Sequence, residues 1–332
     1  MTGASTWRMA AAMTVVVVAV LTGWASALAG GSLPQAVSGS ELFRPSGKVT
    51  TRLHGALAVR PSHLIVVIEE NHSFEQIIGS PAAPFLNHLA AHGTLLTNYH
   101  AVTHPSLPNY MALLSGRIGR IRGDCRACTM AGPTLVDQLE ADHTSWAAYL
   151  EGLPRPCSKV SQAGPYTEAI DPFMHAARVR DNPARCDRIL PFAQFHADLA
   201  AGRLSTVIFV VPSLRDDMHS GPARFADAWL YHLVGALEAA PVWRQDTRLV
   251  VTFDESQGHD VRWCCDGLGR GGRIPTIVAG PEVAPGRDRT PYTHYSLLRS
   301  IEAAYGVGFL GHAGDPTTAT IPALTHPARG GA

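Results

Sequence analysis

Lysine is nearly absent. Lys48 and Lys159 are the only two in 332 residues, so arginine carries almost all the positive charge. Neither sign of charge is in excess, because 27 Lys and Arg balance 27 Asp and Glu. The chain therefore lacks a basic footprint for nucleic acid and a strong field for steering a charged partner. Long apolar runs are missing too. Residues 9–21 are apolar except for Thr14, but they fall short of the roughly 20 that a membrane-spanning helix needs. No second Cys-x-x-Cys accompanies Cys125 and Cys128, and no internal repeat or low-complexity tract occurs. The Cys125-x-x-Cys128 spacing could suit zinc or a redox pair, but without a second such pair disulfides are favoured.

The N-terminus carries an export signature. Arg8 supplies the positive region, residues 9–21 the apolar core, and Ala27-Leu28-Ala29 a small-x-small cleavage site. The expectation is a signal peptide over residues 1–29 and a secreted or extracytoplasmic protein, attached to a membrane only if that segment stays uncleaved. Residues 30–61 have no periodicity and read as an arm or linker. About 300 residues remain, enough for one large α/β domain. All six cysteines follow the signal: Cys125, Cys128, Cys157, Cys186, Cys264 and Cys265. An even count in an exported chain points to structural disulfides. The adjacent Cys264 and Cys265 are expected to bond to two different partners.

Four apolar, β-branched runs read as buried strands: residues 64–68, 206–211, 248–253 and 274–279. Residues 94–99 and 146–150 read as shorter strands. Helical patterns cover residues 84–92, 133–142, 192–201, 223–240 and 294–305. Pro, Gly and Cys break the pattern over residues 151–188, which reads as a stapled loop region. Strands alternating with helices imply an α/β fold around a mostly parallel sheet.

Three of the strands end in polar groups: Glu70 with Asn71, Asp217 with His219, and Asp254 with Glu255. His294 opens a helix. Singly, each has a plain explanation as a turn residue or helix cap. In a parallel sheet, however, all these ends share one edge, where open α/β sheets place their sites. Clustered carboxylates repel unless protonated or neutralised by a cation. Oxygen donors suit Mg²⁺, Ca²⁺ or Mn²⁺, and imidazoles bring Zn²⁺ and Fe within reach, so one or two divalent ions are expected. The segment His104-Pro105-Ser106-Leu107-Pro108-Asn109-Tyr110 joins them. Its prolines stiffen the chain, and Ser106 falls at a helix start, where unpaired N–H groups suit an anion such as phosphate. A hydroxyl beside cations points to phosphoryl transfer, with Ser106 as nucleophile. Asn109, one turn on, is expected to donate an N–H to a phosphate oxygen.

Pieces along most of the chain resemble the bacterial and fungal phosphoesterase family of secreted acid phosphatases and phosphatidylcholine-type phospholipases C. They are IVVIEENHSF at 65–74, NYHAVTHPSLPNY at 98–110, Asp217-Met218-His219, ADAWL at 226–230, TFDE at 252–255, and THYS at 293–296. The resemblance implies the alkaline phosphatase-like fold, with sheet and flanking helices on both faces, and a phosphoesterase catalytic domain over residues 62–325. It implies that Glu70, Asn71, Asp254, Glu255 and Ser106 hold a metal. Asp217, His219 and His294 match positions for a second metal or the phosphate. His104 matches the histidine of the family's His-Pro-Ser piece, where a hydrogen bond supporting a ligand is expected. Residues 106–109 also resemble the nucleophile segment of nucleotide pyrophosphatase/phosphodiesterases, in which a threonine takes the serine's place.

Two departures bear on substrate and metal. Ala169-Ile170-Asp171-Pro172 stands where many members have Lys-His-Asn-Pro, and Asp216 stands where asparagine is frequent. The TFDE form is closer to the acid phosphatase branch than to the phospholipases. The expectation is a phosphomonoesterase acting on a small phosphorylated substrate. The alternatives are a phospholipase C-type diesterase taking a phospholipid headgroup, a phosphonate-directed hydrolase, or a non-catalytic surface protein of this fold. A sulfatase is disfavoured because no Cys-x-Pro-x-Arg segment is present.

Overall fold

The computed structural model describes residues 59–244, 246–258 and 263–326. The expected signal peptide at 1–29 and most of the arm at 30–61 lie outside them. Eight strands form the central sheet. Their order is Gly286–Asp288, Thr94–Leu96, Thr276–Ala279, Arg248–Phe253, Leu64–Glu69, Val207–Val211, Trp146–Leu150 and Ile189–Pro191. The five from Arg248–Phe253 to Ile189–Pro191 are parallel neighbours. Thr276–Ala279 runs against both of its neighbours. The strand was legible from its apolar run; its reversed direction was not.

Leu64–Glu69 sits near the middle and is buried throughout. Leu64 to Ile68 are at most 2% exposed, and each such side chain contributes roughly 1.5–3 kcal/mol of transfer free energy. Helices cover both faces. Pro84–His92 packs with Ala223–Glu238, where Asp227 accepts the Phe85 and Leu86 N–H groups at 3.0 and 2.8 Å. The second group is Ser106–Ser115, Leu135–Ala141 and His294–Tyr305. No helix among the described residues is long and apolar enough to cross a membrane.

Two local features position the serine segment. The expected strand over residues 94–99 divides into Thr94–Leu96 and Tyr99–His100, and the chain then runs beside residues 270–272. Gly271 permits that approach, since a Cβ there would lie 2.3 Å from the Thr103 carbonyl oxygen. The helix then begins at Ser106, its first residue after the cap Pro105.

The cysteines pair as Cys125–Cys128, Cys157–Cys186 and Cys264–Cys265. The expectation of separate partners for Cys264 and Cys265 is thus corrected: they bond to each other. Left-handed φ values at Cys265 and Asp266, 60° and 53°, turn the chain tightly there. Cys157–Cys186 closes the irregular segment, which holds short helices at Pro172–His175, Ala177–Arg180 and Pro183–Cys186. Closing a loop of that length stabilises by about 3–4 kcal/mol in the chain-entropy account. A Cys157→Ala/Cys186→Ala variant should lose about 3 kcal/mol in urea unfolding. Unreduced protein should take up no thiol-alkylating reagent; six labelled thiols would refute the pairing.

Candidate active site

Register brings the acids together. Glu69 stands opposite Phe253 in the parallel pair, so Glu70 and Asp254 leave the sheet side by side. Backbone bonds tie these ends to each other. Asp254 N donates to Glu69 O at 3.0 Å, and Glu70 N donates to Asp217 O at 2.8 Å. Glu70, Asp217, Asp254 and Glu255 are all at most 4% exposed. Burial pushes the Glu70 carboxyl well up, and the Asp254 and Asp217 charges push it further. Burial, then the Glu255 charge, does the same to Asp254. Burial also raises Glu255, opposed by its bond to His104.

Ser106 enters this cluster from the start of its helix. Its Oγ lies 3.5 Å from both Glu70 Oε2 and Glu255 Oε1, and its one hydrogen can serve only one of them at a time. His104 Nδ1 donates to Glu255 Oε2 at 2.7 Å, the supporting bond expected for it. Asn71 is held in a left-handed conformation with φ 46°, which asparagine tolerates better than most residues. There its N–H donates to Asp254 Oδ1 at 3.2 Å and its Nδ2 to Glu255 Oε1 at 2.8 Å.

Three expected site residues are placed differently. Asn109 has no N–H to offer a phosphate. Nδ2 donates to Thr103 O and Pro105 O at 2.8 and 3.1 Å, while Oδ1 accepts from Val102 N and Thr103 N. An amide has two donors and two acceptor sites, and all are spent bracing the loop that leads into Ser106. His294 is buried, with Nε2 donating to Asp254 O at 2.6 Å and Nδ1 accepting from the Tyr99 hydroxyl at 3.1 Å. Burial lowers its pKa to about 4. It is a neutral brace for the Asp254 backbone, and both nitrogens are engaged. His219 is exposed, and its Nδ1 pairs with Ser220 Oγ at 3.1 Å. Its N–H instead holds Asp217 Oδ1 at 2.7 Å.

Two contacts were not anticipated from the sequence. The Tyr110 hydroxyl donates to Glu70 Oε1 at 3.0 Å. Its position four residues after Ser106 was the available signal, since such pairs share a helix face. Asp124 Oδ1 accepts the Leu107 N–H at 2.9 Å, beside the serine. Nothing local marks Asp124, because a loop residue reaches the helix only through the tertiary fold.

Oxygen acceptors in the cluster lack donors. Asp254 Oδ2, Asp217 Oδ2 and Asn71 Oδ1 are buried without a hydrogen-bond partner. Buried acceptors of this kind are costly unless something positive completes them, so the donor set fits a divalent cation. Among the described residues no three His, Cys, Asp or Glu side chains form a ready-made cage.

Residues 80–308 match the phosphoesterase family. A phosphatidylinositol-3-phosphatase of Mycobacterium tuberculosis is 34% identical over 255 residues, covering 76% of this chain and 79% of that protein. A probable acid phosphatase of Kluyveromyces lactis is 29% identical, covering 83% of this chain and 65% of its own length. Among solved structures, an alkaline phosphatase superfamily protein of Vibrio parahaemolyticus overlays with a TM-score of 0.52 at 13% identity, covering 79% of this chain and 72% of that one. That likeness shows the fold, and the sequence match shows the family. The chain belongs to the phosphoesterase family and is a hydrolase of phosphoric ester bonds.

Proposed function

We propose that the protein is a secreted, metal-dependent phosphomonoesterase in which Ser106 attacks phosphorus. The observation that carries this reading is a buried hydroxyl on a helix's first residue, 3.5 Å from two carboxylates. Glu70, Asn71, Asp254 and Glu255 would hold the cation together with Ser106, through oxygens that suit Mg²⁺, Ca²⁺ or Mn²⁺. When bound, the cation supplies positive charge that favours the serine alkoxide and neutralises phosphoryl oxygens. Ser106 Oγ forms a bond to phosphorus as the ester P–O bond breaks, and the leaving oxygen takes up a proton. Water then cleaves the phosphoserine, restoring the hydroxyl and releasing phosphate. The first-turn amides of the same helix suit phosphoryl oxygens. Asp124 must release the Leu107 N–H before a phosphate can take it.

The relatives' names support monoesters, since both are phosphatases. A phosphoinositide headgroup is the second reading, favoured by the mycobacterial relative's name. A panel of phosphomonoesters, phosphoinositides and diesters separates the two. Export is supported by the residue 1–29 pattern and by three disulfides, which persist in oxidising compartments.

Ser106→Ala should lower kcat on p-nitrophenyl phosphate by more than about a thousandfold with the fold intact. Retention of most activity would mean that serine is not the nucleophile. Asp254→Asn and Glu70→Gln should each lose bound metal and activity together, and EDTA should silence the wild type. Full metal content and normal turnover in Asp254→Asn would remove the proposed site.

The metal reading also sets a pH dependence. Without a cation, burial and repulsion raise the pKa values of Glu70 and Asp254. The cation needs them ionised, so protons compete with it and its affinity falls as pH falls. Calorimetry with Mn²⁺ should show weaker binding at about pH 5.5 than at about pH 7.5. Equal affinity at both would contradict carboxylate ligation.

A further inference from the structure

Ser106 and Tyr110 stand four residues apart on one helix, so their side chains lie on one face a single turn apart. Both are buried, at 6% and 2% exposure. Each addresses a different oxygen of the same carboxylate. Ser106 Oγ lies 3.5 Å from Glu70 Oε2, and the Tyr110 hydroxyl donates to Oε1 at 3.0 Å. Glu70 follows the last residue of its strand, and its N–H is held by Asp217 O at 2.8 Å. That bond places its backbone but leaves three side-chain torsions to be set. Tyrosine has fewer torsions, and here its ring belongs to the main core cluster.

We propose that Tyr110 is a positioning residue: its hydroxyl anchors one oxygen of Glu70, so that the other faces Ser106. The helix then acts as a caliper, carrying both the serine and the group that sets the serine's distance to Glu70. The proposal rests on the reading of Ser106 as nucleophile and Glu70 as ligand. A tyrosine serving only as core would need its ring and not its hydroxyl. The bond is buried, and its acceptor is one of two oxygens whose other member is 3.5 Å from the serine.

Tyr110→Phe keeps the ring and removes the hydroxyl. Supporting contacts behind a ligand typically govern 10–100-fold in metal affinity or activity. We expect kcat on p-nitrophenyl phosphate to fall by roughly 10–100-fold, and KM to change by no more than about twofold. Titration calorimetry with Mn²⁺ alone should show weaker binding by a similar factor. Leu113→Val, a core change on the same helix, is the control and should leave both quantities near wild type. A kcat within about twofold of wild type in Tyr110→Phe would overturn the proposal. So would an equal kcat loss in Leu113→Val, or a kcat loss with Mn²⁺ binding unchanged. Inactive Ser106→Ala and Glu70→Gln beside an unimpaired Tyr110→Phe would sink the positioning role alone. An active Ser106→Ala would sink the site assignment and this role together.

Discussion

Mutual repulsion among buried carboxylates is the constraint on which the site depends. Parallel register carries Glu70 and Asp254 out of the sheet as neighbours, and the backbone bond from Glu70 N to Asp217 O adds a third acid at the same edge. In a region of low dielectric these groups raise one another's pKa values and leave several oxygens without donors. Such an arrangement costs stability. It is offset by the apolar strands beneath it, whose side chains are almost fully removed from water. The edge is therefore held in place by a core that has no part in the chemistry.

The surrounding polar residues divide into those that face the acids and those that hold the frame. Glu70, Glu255, Asn71 and Ser106 face one another. Asn109 and His294 hold the frame. The asparagine spends its amide on the 102–105 backbone, and the histidine fixes the Asp254 carbonyl. Both are as buried as the acids. Each satisfies backbone groups beside the buried acids, where an unpaired N–H or C=O would cost roughly 1–3 kcal/mol. Asp124 has a third kind of place. Its carboxylate accepts a first-turn N–H of the serine helix, a position where the helix end favours negative charge.

Local pattern and burial determined much of this from the sequence alone. The apolar β-branched runs had to be strands, and polar residues directly after them had to lie at the sheet edge. A serine between two prolines before an apolar run had to lie near a helix start. Those inferences hold because they depend on neighbours within a few residues. Side-chain partners depend on what the fold brings across, and there only the tertiary structure could decide. Asn109 and His294 carry the right chemistry for phosphate or metal, but nothing local says that backbone groups have already claimed them. Tyr110 looks like one more core aromatic until Glu70 is seen at its hydroxyl. The reversed Thr276–Ala279 strand and the Cys264–Cys265 bond are of the same kind. An apolar run has no direction, and a cysteine's partner is set by how tightly the chain turns.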